Sequence, residues 1–173
     1  MYSKQRHPRQ PRVVWKKWPR RLDLNLFLLL IASHICGDLL INAAFLARAK
    51  RSWKSGDRLK ALVIHCLVHA CLVWLWLWSY EVRLKIWAST YVFVVHFLID
   101  FVRTHLEMTL IGQEELRVVP RKEAFMYLLR RTNDETNVFL KNHARTWGLL
   151  NIGDQILHVA AIGVFAVASS TLY

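Results

Sequence analysis

Three aspartates fall inside long apolar runs of this chain, Asp38, Asp100 and Asp154, and each has a histidine four residues away: His34–Asp38, His96–Asp100 and Asp154–His158. A fourth apolar run has no acid but carries His65 and His69, again four apart. On a helix that spacing puts both side chains on one face, one turn apart. Such a pair can hold one metal ion, as helical zinc sites do. Four pairs supply eight nitrogen and oxygen donors, whereas one ion takes about four to six. The expectation is therefore two divalent ions with bridging carboxylates, a design that helical bundles support in their cores. Nitrogen and oxygen donors without thiolates favour zinc, with iron and manganese as alternatives. A single pair is equally well explained by a hydrogen bond between helices, because a carboxylate at membrane depth costs about 2.5–3.5 kcal/mol and needs a partner. Four pairs on four helices favour metal over a metal-free proton or hydrogen-bond network.

The elements that must position these pairs follow from the segregation of charge. The chain has 173 residues, 54% of them hydrophobic, with 24 Lys and Arg against 12 Asp and Glu. In a soluble domain a net charge of +12 would suggest nucleic acid. Here the basic residues lie between apolar runs, so no specific nucleic-acid partner is expected, and the fold class is all-α: an integral membrane four-helix bundle. The spans are expected at about residues 22–47, 61–79, 86–102 and 149–171. Residues 1–21, with eight Lys or Arg and three Pro, form a basic mobile tail, and residues 22–173 a single domain. The first run is too long for a signal-peptide core and reads as an uncleaved span. Tyr80–Lys85 is expected as a tight turn, with Trp74, Trp76, Trp78 and Trp87 as an aromatic belt around it and Trp147 playing that part before span four. Cys36, Cys66 and Cys71 form no CxxC motif and read as small buried hydrophobes.

Residues 103–148 read as an amphipathic connector, a surface lid or a solvated link. Pro120 is placed at the start of a helix running to Arg131, and Asn133 with Asp134 and Glu135 at the start of another. In an up-down bundle the pairs of spans two, three and four sit roughly 5–15 Å below one surface at about 1.5 Å per residue, with the pair of span one a turn deeper unless that helix ends near Asn42. Asn42, Arg48, Arg103 and Gln155 are candidates to support the ligands or hold an anionic substrate. Lys50 and Arg51 read as anchors that snorkel to lipid headgroups. Ten basic residues on one side oppose fourteen on the other, so the positive-inside rule sets no orientation.

The segments SHICGDLLIN, IHCLVH, HFLIDFVRT and GDQILH, in this order, resemble a family of small bacterial and phage membrane proteins labelled domain of unknown function 3307. The resemblance covers about residues 30–160. His34, Gly37, Asp38, His65, His69, His96, Asp100, Asp154, Gln155 and His158 match its pattern, while Asn42 stands where a glutamine is expected. The label implies a bacterial inner (cytoplasmic) membrane location and no established activity. A looser likeness is to membrane-bound metal-dependent hydrolases and helical zinc phospholipases, which also place His and Asp ligands four apart.

Taken together, these features favour a membrane-embedded metal-dependent hydrolase acting on a phosphoester or lipid-linked bond, its ions polarising the scissile group and activating water, and an Asp or His serving as base. The partners expected are membrane lipids and an anionic substrate. The alternatives are a metal- or proton-coupled transporter, a dinuclear iron oxidase and a structural metal site.

Overall fold

The computed structural model describes residues 23–40, 48–52, 54–112, 119, 121–129 and 134–170. They form five helices: α1 (Leu24–Leu40), α2 (Ser55–Trp76), α3 (Val82–Ile111), α4 (Arg121–Leu128) and α5 (Asp134–Ser169). The expected tail 1–21 and Asn42 lie outside the described residues. Three helices are long and apolar enough to cross a membrane, over Gly56–Trp76, Val82–Ile111 and Val138–Ser169, and Leu24–Leu39 is a shorter apolar helix. Thirty residues of α3 rise about 45 Å at 1.5 Å each, more than a hydrocarbon core of about 30 Å.

The elements start and stop for local reasons. Asp23 caps α1, its carboxylate accepting from the Leu26 amide at 3.0 Å; a short side-chain acceptor there satisfies one of the orphan donors of the first turn. Asp57 stands in the first turn of α2, where the helix dipole favours a negative charge. Gly112 ends α3 at φ 85°, a left-handed conformation that glycine adopts without penalty.

Several of the expected boundaries are corrected. Helix α2 begins ahead of residue 61 and stops before 79, because Asp57, Arg58 and Lys60 are compatible with an exposed helical first turn. The turn toward α3 spans 77–81 rather than 80–85. Helix α3 does not stop at the charged end of its apolar run, since Thr104 and Glu107 continue its buried stripe to Ile111. The last third of the expected connector belongs to α5, which begins at Asp134 and not near Leu149. Only α4 is a separate piece. Around it Val119, Tyr127 and Trp147 pack on a small core of Ile111, Phe139 and Leu140. Trp147 is thus part of a core rather than a flanking belt. Trp74, Trp76, Trp78 and Trp87 are exposed, as a belt requires.

Helices α1, α2, α3 and α5 pack in a ring, each on two neighbours. Adjacent members run antiparallel: on α2 and α3, His65 lies beside His96 and Arg58 beside Phe101, and on α3 and α5, Tyr91 bonds the Ala161 carbonyl while Arg103 reaches Asn151. One end of the ring is filled by Leu26, Leu30, Val73, Leu77, Leu84, Ala88, Val92 and Ile162. The side chains buried beyond it are largely polar: His34, His65, His69, His96, Asp100, Thr104, Glu107, Asp154 and His158. Leucine, isoleucine and valine cover the outside, among them Leu28, Leu39, Ile64, Leu75, Leu98, Ile152 and Val164.

The short segment before α2 is tied to α3 by two cations. Arg51 donates from Nε and Nη2 to both oxygens of the fully buried Glu107, at 3.1 and 2.8 Å, a two-pronged pairing that fits guanidinium to carboxylate. Breaking a buried pair from one side leaves an uncompensated charge and costs about 3–5 kcal/mol, whereas replacing both partners by apolar groups is far milder. Arg51→Ala is therefore expected to lower the unfolding temperature in mild detergent sharply. The double variant Arg51→Met/Glu107→Leu should recover most of the loss, and no recovery would contradict a pairing role.

Candidate metal centre

All eight predicted donors converge. His34, His65, His69, His96, Asp100, Asp154 and His158 are buried, and Asp38 is part-exposed. The antiparallel directions sort them into two layers. Each helix contributes a histidine to the layer beside the apolar end: His34, His69, His96 and His158. The layer further out holds Asp38, His65, Asp100 and Asp154. Within the inner layer the rings are in contact, with centroids 4.0 Å apart for His69 and His96, 4.1 Å for His96 and His158, and 4.8 Å for His34 and His158. The pair on α1 joins the others at the same depth: His34 also lies 5.2 Å from His69, and Asp38 reaches to 3.4 Å of His69 Nε2.

The hydrogen bonding shows which atoms are left over. His158 Nδ1 lies 2.8 Å from the Asp154 backbone carbonyl. The carbonyl accepts only, so Nδ1 carries the proton and Nε2 the lone pair, the arrangement in which a backbone carbonyl orients a metal-binding imidazole. That Nε2 is buried without a hydrogen-bond partner, as are His34 Nε2, both nitrogens of His69, His65 Nδ1 and Asp154 Oδ1. Buried polar atoms are rarely left so, and each unsatisfied one costs about 1–3 kcal/mol. Six such atoms in one cluster are donors without an acceptor, or acceptors without a donor, and a lone pair of this kind can be satisfied by a cation.

Three groups of donor atoms lie within 4.8 Å of one another: His34, Asp38, His69 and His96; His65, His96 and Asp100; Asp100, Asp154 and His158. Metal bonds of about 2.0–2.2 Å to a common ion nearly span that separation. The groups overlap at His96 and Asp100. This donor set fits divalent metal.

Charged and amide groups surround the cluster. Lys50 donates to Asp100 Oδ2 at 2.5 Å, and His65 Nε2 and His96 Nε2 lie 3.4 and 3.8 Å from the same oxygen. Arg103 donates from Nη2 to Asn151 Oδ1 at 2.7 Å and places Nη1 3.7 Å from Asp154 Oδ2. Asn151 is itself held by the Trp147 carbonyl at 2.6 Å. Gln155 donates to Asp154 at 3.3 Å and to Asp38 at 3.4 Å, bridging α5 to α1.

Gln155 and Arg103 lie beside Asp38 and Asp154. Arg48 is exposed and makes no ion pair among the described residues. Lys50 and Arg51 are corrected: they point into the protein, because Asp100 and Glu107 are buried carboxylates that need cationic partners. Sequence reasoning missed Glu107 and Asn151. The available signal was spacing, since Glu107 continues the Asp100 face by seven residues and Asn151 precedes Asp154 by three.

A protein-family model described as "Protein of unknown function (DUF3307)" matches residues 26–173. The chain belongs to that family. No curated protein and no solved structure matches the chain.

Gly37 is where α1 comes closest to the centre. A Cβ built there would approach Cε1, Nδ1 and Nε2 of His69 closer than 3.0 Å, whereas one at Gly163 meets only Phe27 at 3.8 Å, and at Gly148 nothing. Alanine normally stabilises a helix over glycine by about 0.5–1 kcal/mol. Gly148→Ala and Gly163→Ala are expected to be neutral or stabilising in thermal unfolding. Gly37→Ala should be destabilising against that trend, because it must displace the His69 ring; a gain in stability at Gly37 would contradict the close approach.

Proposed function

We propose that this family member is an integral membrane four-helix bundle of the bacterial inner membrane that holds two divalent ions on its eight His and Asp donors and hydrolyses a phosphoester or another lipid-linked bond. The observation that carries the reading is the convergence of four i, i+4 pairs with six buried polar atoms left without hydrogen bonds. The membrane part is supported by the inverted distribution of polarity: leucine and valine outside, imidazole and carboxylate inside. Exposed apolar surface on this scale is costly in water and matched by lipid tails.

The ligands in this reading are His34, Asp38, His65, His69, His96, Asp100, Asp154 and His158. Zinc is favoured, with iron and manganese accommodated by the same donors. The ions would supply Lewis acidity toward a phosphoryl or carbonyl oxygen. The chain's own residues supply the rest. A cluster Asp or His not taken up by an ion would accept the proton of an attacking water. Arg103, steadied by Asn151, and Lys50 present cationic groups to an anionic substrate. The apolar end built from Leu26, Leu30, Val73, Leu77 and Ile162 closes the inner side of the histidine layer. A transporter must open both ends in turn, and this packing favours a site with access from one side, as a hydrolase needs.

Two outcomes are expected. Metal binding to the folded state alone stabilises by mass action, about 2.7 kcal/mol at a hundredfold excess over Kd. Added zinc should therefore raise the unfolding temperature of chelator-treated protein. His96→Ala, Asp100→Ala and His158→Ala should abolish that rise, while His105→Ala and His143→Ala, outside the cluster, should keep it. For the reaction, protein reconstituted in liposomes should cleave a phospholipid or isoprenoid phosphate in a metal-dependent way. Metal-dependent flux across the liposome without cleavage would overturn the hydrolase in favour of a carrier.

A further inference from the structure

A groove of about 370 Å³ runs between α3 and α5 on the outside of the ring. Its walls are apolar, with Val102 and Leu106 on α3 and Leu150 and Leu157 on α5, and its polar members are Arg103 and Asp154. Both are withdrawn from the surface, their side chains 19% and 4% exposed. The volume falls within the range of about 300–1,000 Å³ typical of small-molecule sites. The groove exists because Gly153 lines it without a side chain, and a Cβ added there meets nothing within 4 Å. Helix α5 therefore leaves a notch one residue before a ligand of the centre, on a face otherwise covered by leucine.

The polar end of the groove selects among lipids. Arg103 has a buried Nε without a hydrogen-bond partner, and Asp154 Oδ1 is likewise unpartnered. The Arg103 guanidinium, set by Asn151 and Asp154 at the groove, is a cation among apolar walls, and guanidinium suits phosphate.

We propose that this groove is a lateral binding site for a phosphate-bearing lipid, whose chain lies between α3 and α5 and whose phosphate meets Arg103. This assignment rests on the membrane-hydrolase reading and names the side from which its substrate arrives: from within the bilayer, between two helices, rather than from water along the ring axis.

The test uses the full chain in phosphatidylcholine vesicles with phosphatidic acid carrying a photoactivatable acyl chain, compared with diacylglycerol carrying the same chain. Phosphatidic acid should cross-link within residues 98–106 and 149–157, about tenfold more than diacylglycerol. Arg103→Gln should reduce phosphatidic acid labelling to the diacylglycerol level. Gly153→Leu, whose Cβ meets nothing within 4 Å and whose side chain extends into the notch, should remove groove labelling by both probes while the zinc-dependent rise in unfolding temperature persists. Equal labelling by the two lipids, labelling spread over all faces, or groove labelling that survives Gly153→Leu would overturn the proposal. Cross-linking is read without turnover. Groove labelling without cleavage of phosphatidic acid or an isoprenoid phosphate would leave the lipid site standing and remove the hydrolase, and cleavage without groove labelling would do the reverse.

Discussion

Five imidazoles and three carboxylates are packed against one another at the centre of helices whose outer faces are leucine, isoleucine and valine, and among the described residues several of their buried polar atoms have no hydrogen-bond partner. That imbalance governs the surrounding structure. Helix α1 must come close enough to bring His34 and Asp38 into the cluster, and Gly37 is the residue that permits it. Lys50 is drawn inward from the segment before α2 because Asp100 needs a cation, and Arg51 follows because Glu107 does. Gln155 shares its amide between Asp38 and Asp154, linking α5 to α1. Each of these contacts offsets part of the cost of burying charge and polarity. None reaches the unpartnered nitrogens of His34, His69 and His158.

The two layers divide the work. The inner histidines adjoin an apolar end that excludes water, so charge placed there is weakly screened. The outer carboxylates adjoin Lys50 and Arg103. The four helices thereby hold their buried polar groups together and leave one end of the ring purely apolar. The notch at Gly153 connects those groups with the outer face of the helices. The proposed substrate is accordingly amphiphilic, with a tail that prefers leucine and a head that prefers guanidinium.

The ligand pairs were legible in the sequence because a helix converts spacing into direction: two polar residues four apart in an apolar run have one face to share. The apolar runs gave the helical class, and the acids after Asn133 gave the helix start at Asp134. Less was legible where an interaction joins residues remote in the chain. Lys50 and Arg51 read as headgroup anchors because nothing local distinguishes a cation that snorkels outward from one that turns in to a buried acid fifty or more residues away. Helix α3 was expected to stop near Val102, since hydropathy treats Arg103, Glu107 and Thr104 as outside the membrane, whereas their burial lets the helix continue. The layering of the donors depends on the antiparallel order of the helices, which composition does not state.

The central claim is that the eight donors form a metal site, and elemental analysis of the full chain purified gently in mild detergent tests it most directly. The account predicts one to two first-row divalent ions per chain, retained through gel filtration and lost together with thermal stability in His96→Ala and Asp100→Ala. A content below about 0.2 ions per chain that is not restored by zinc, iron or manganese would contradict it, because a preformed site of neutral imidazoles and carboxylates should bind the ion when it is supplied.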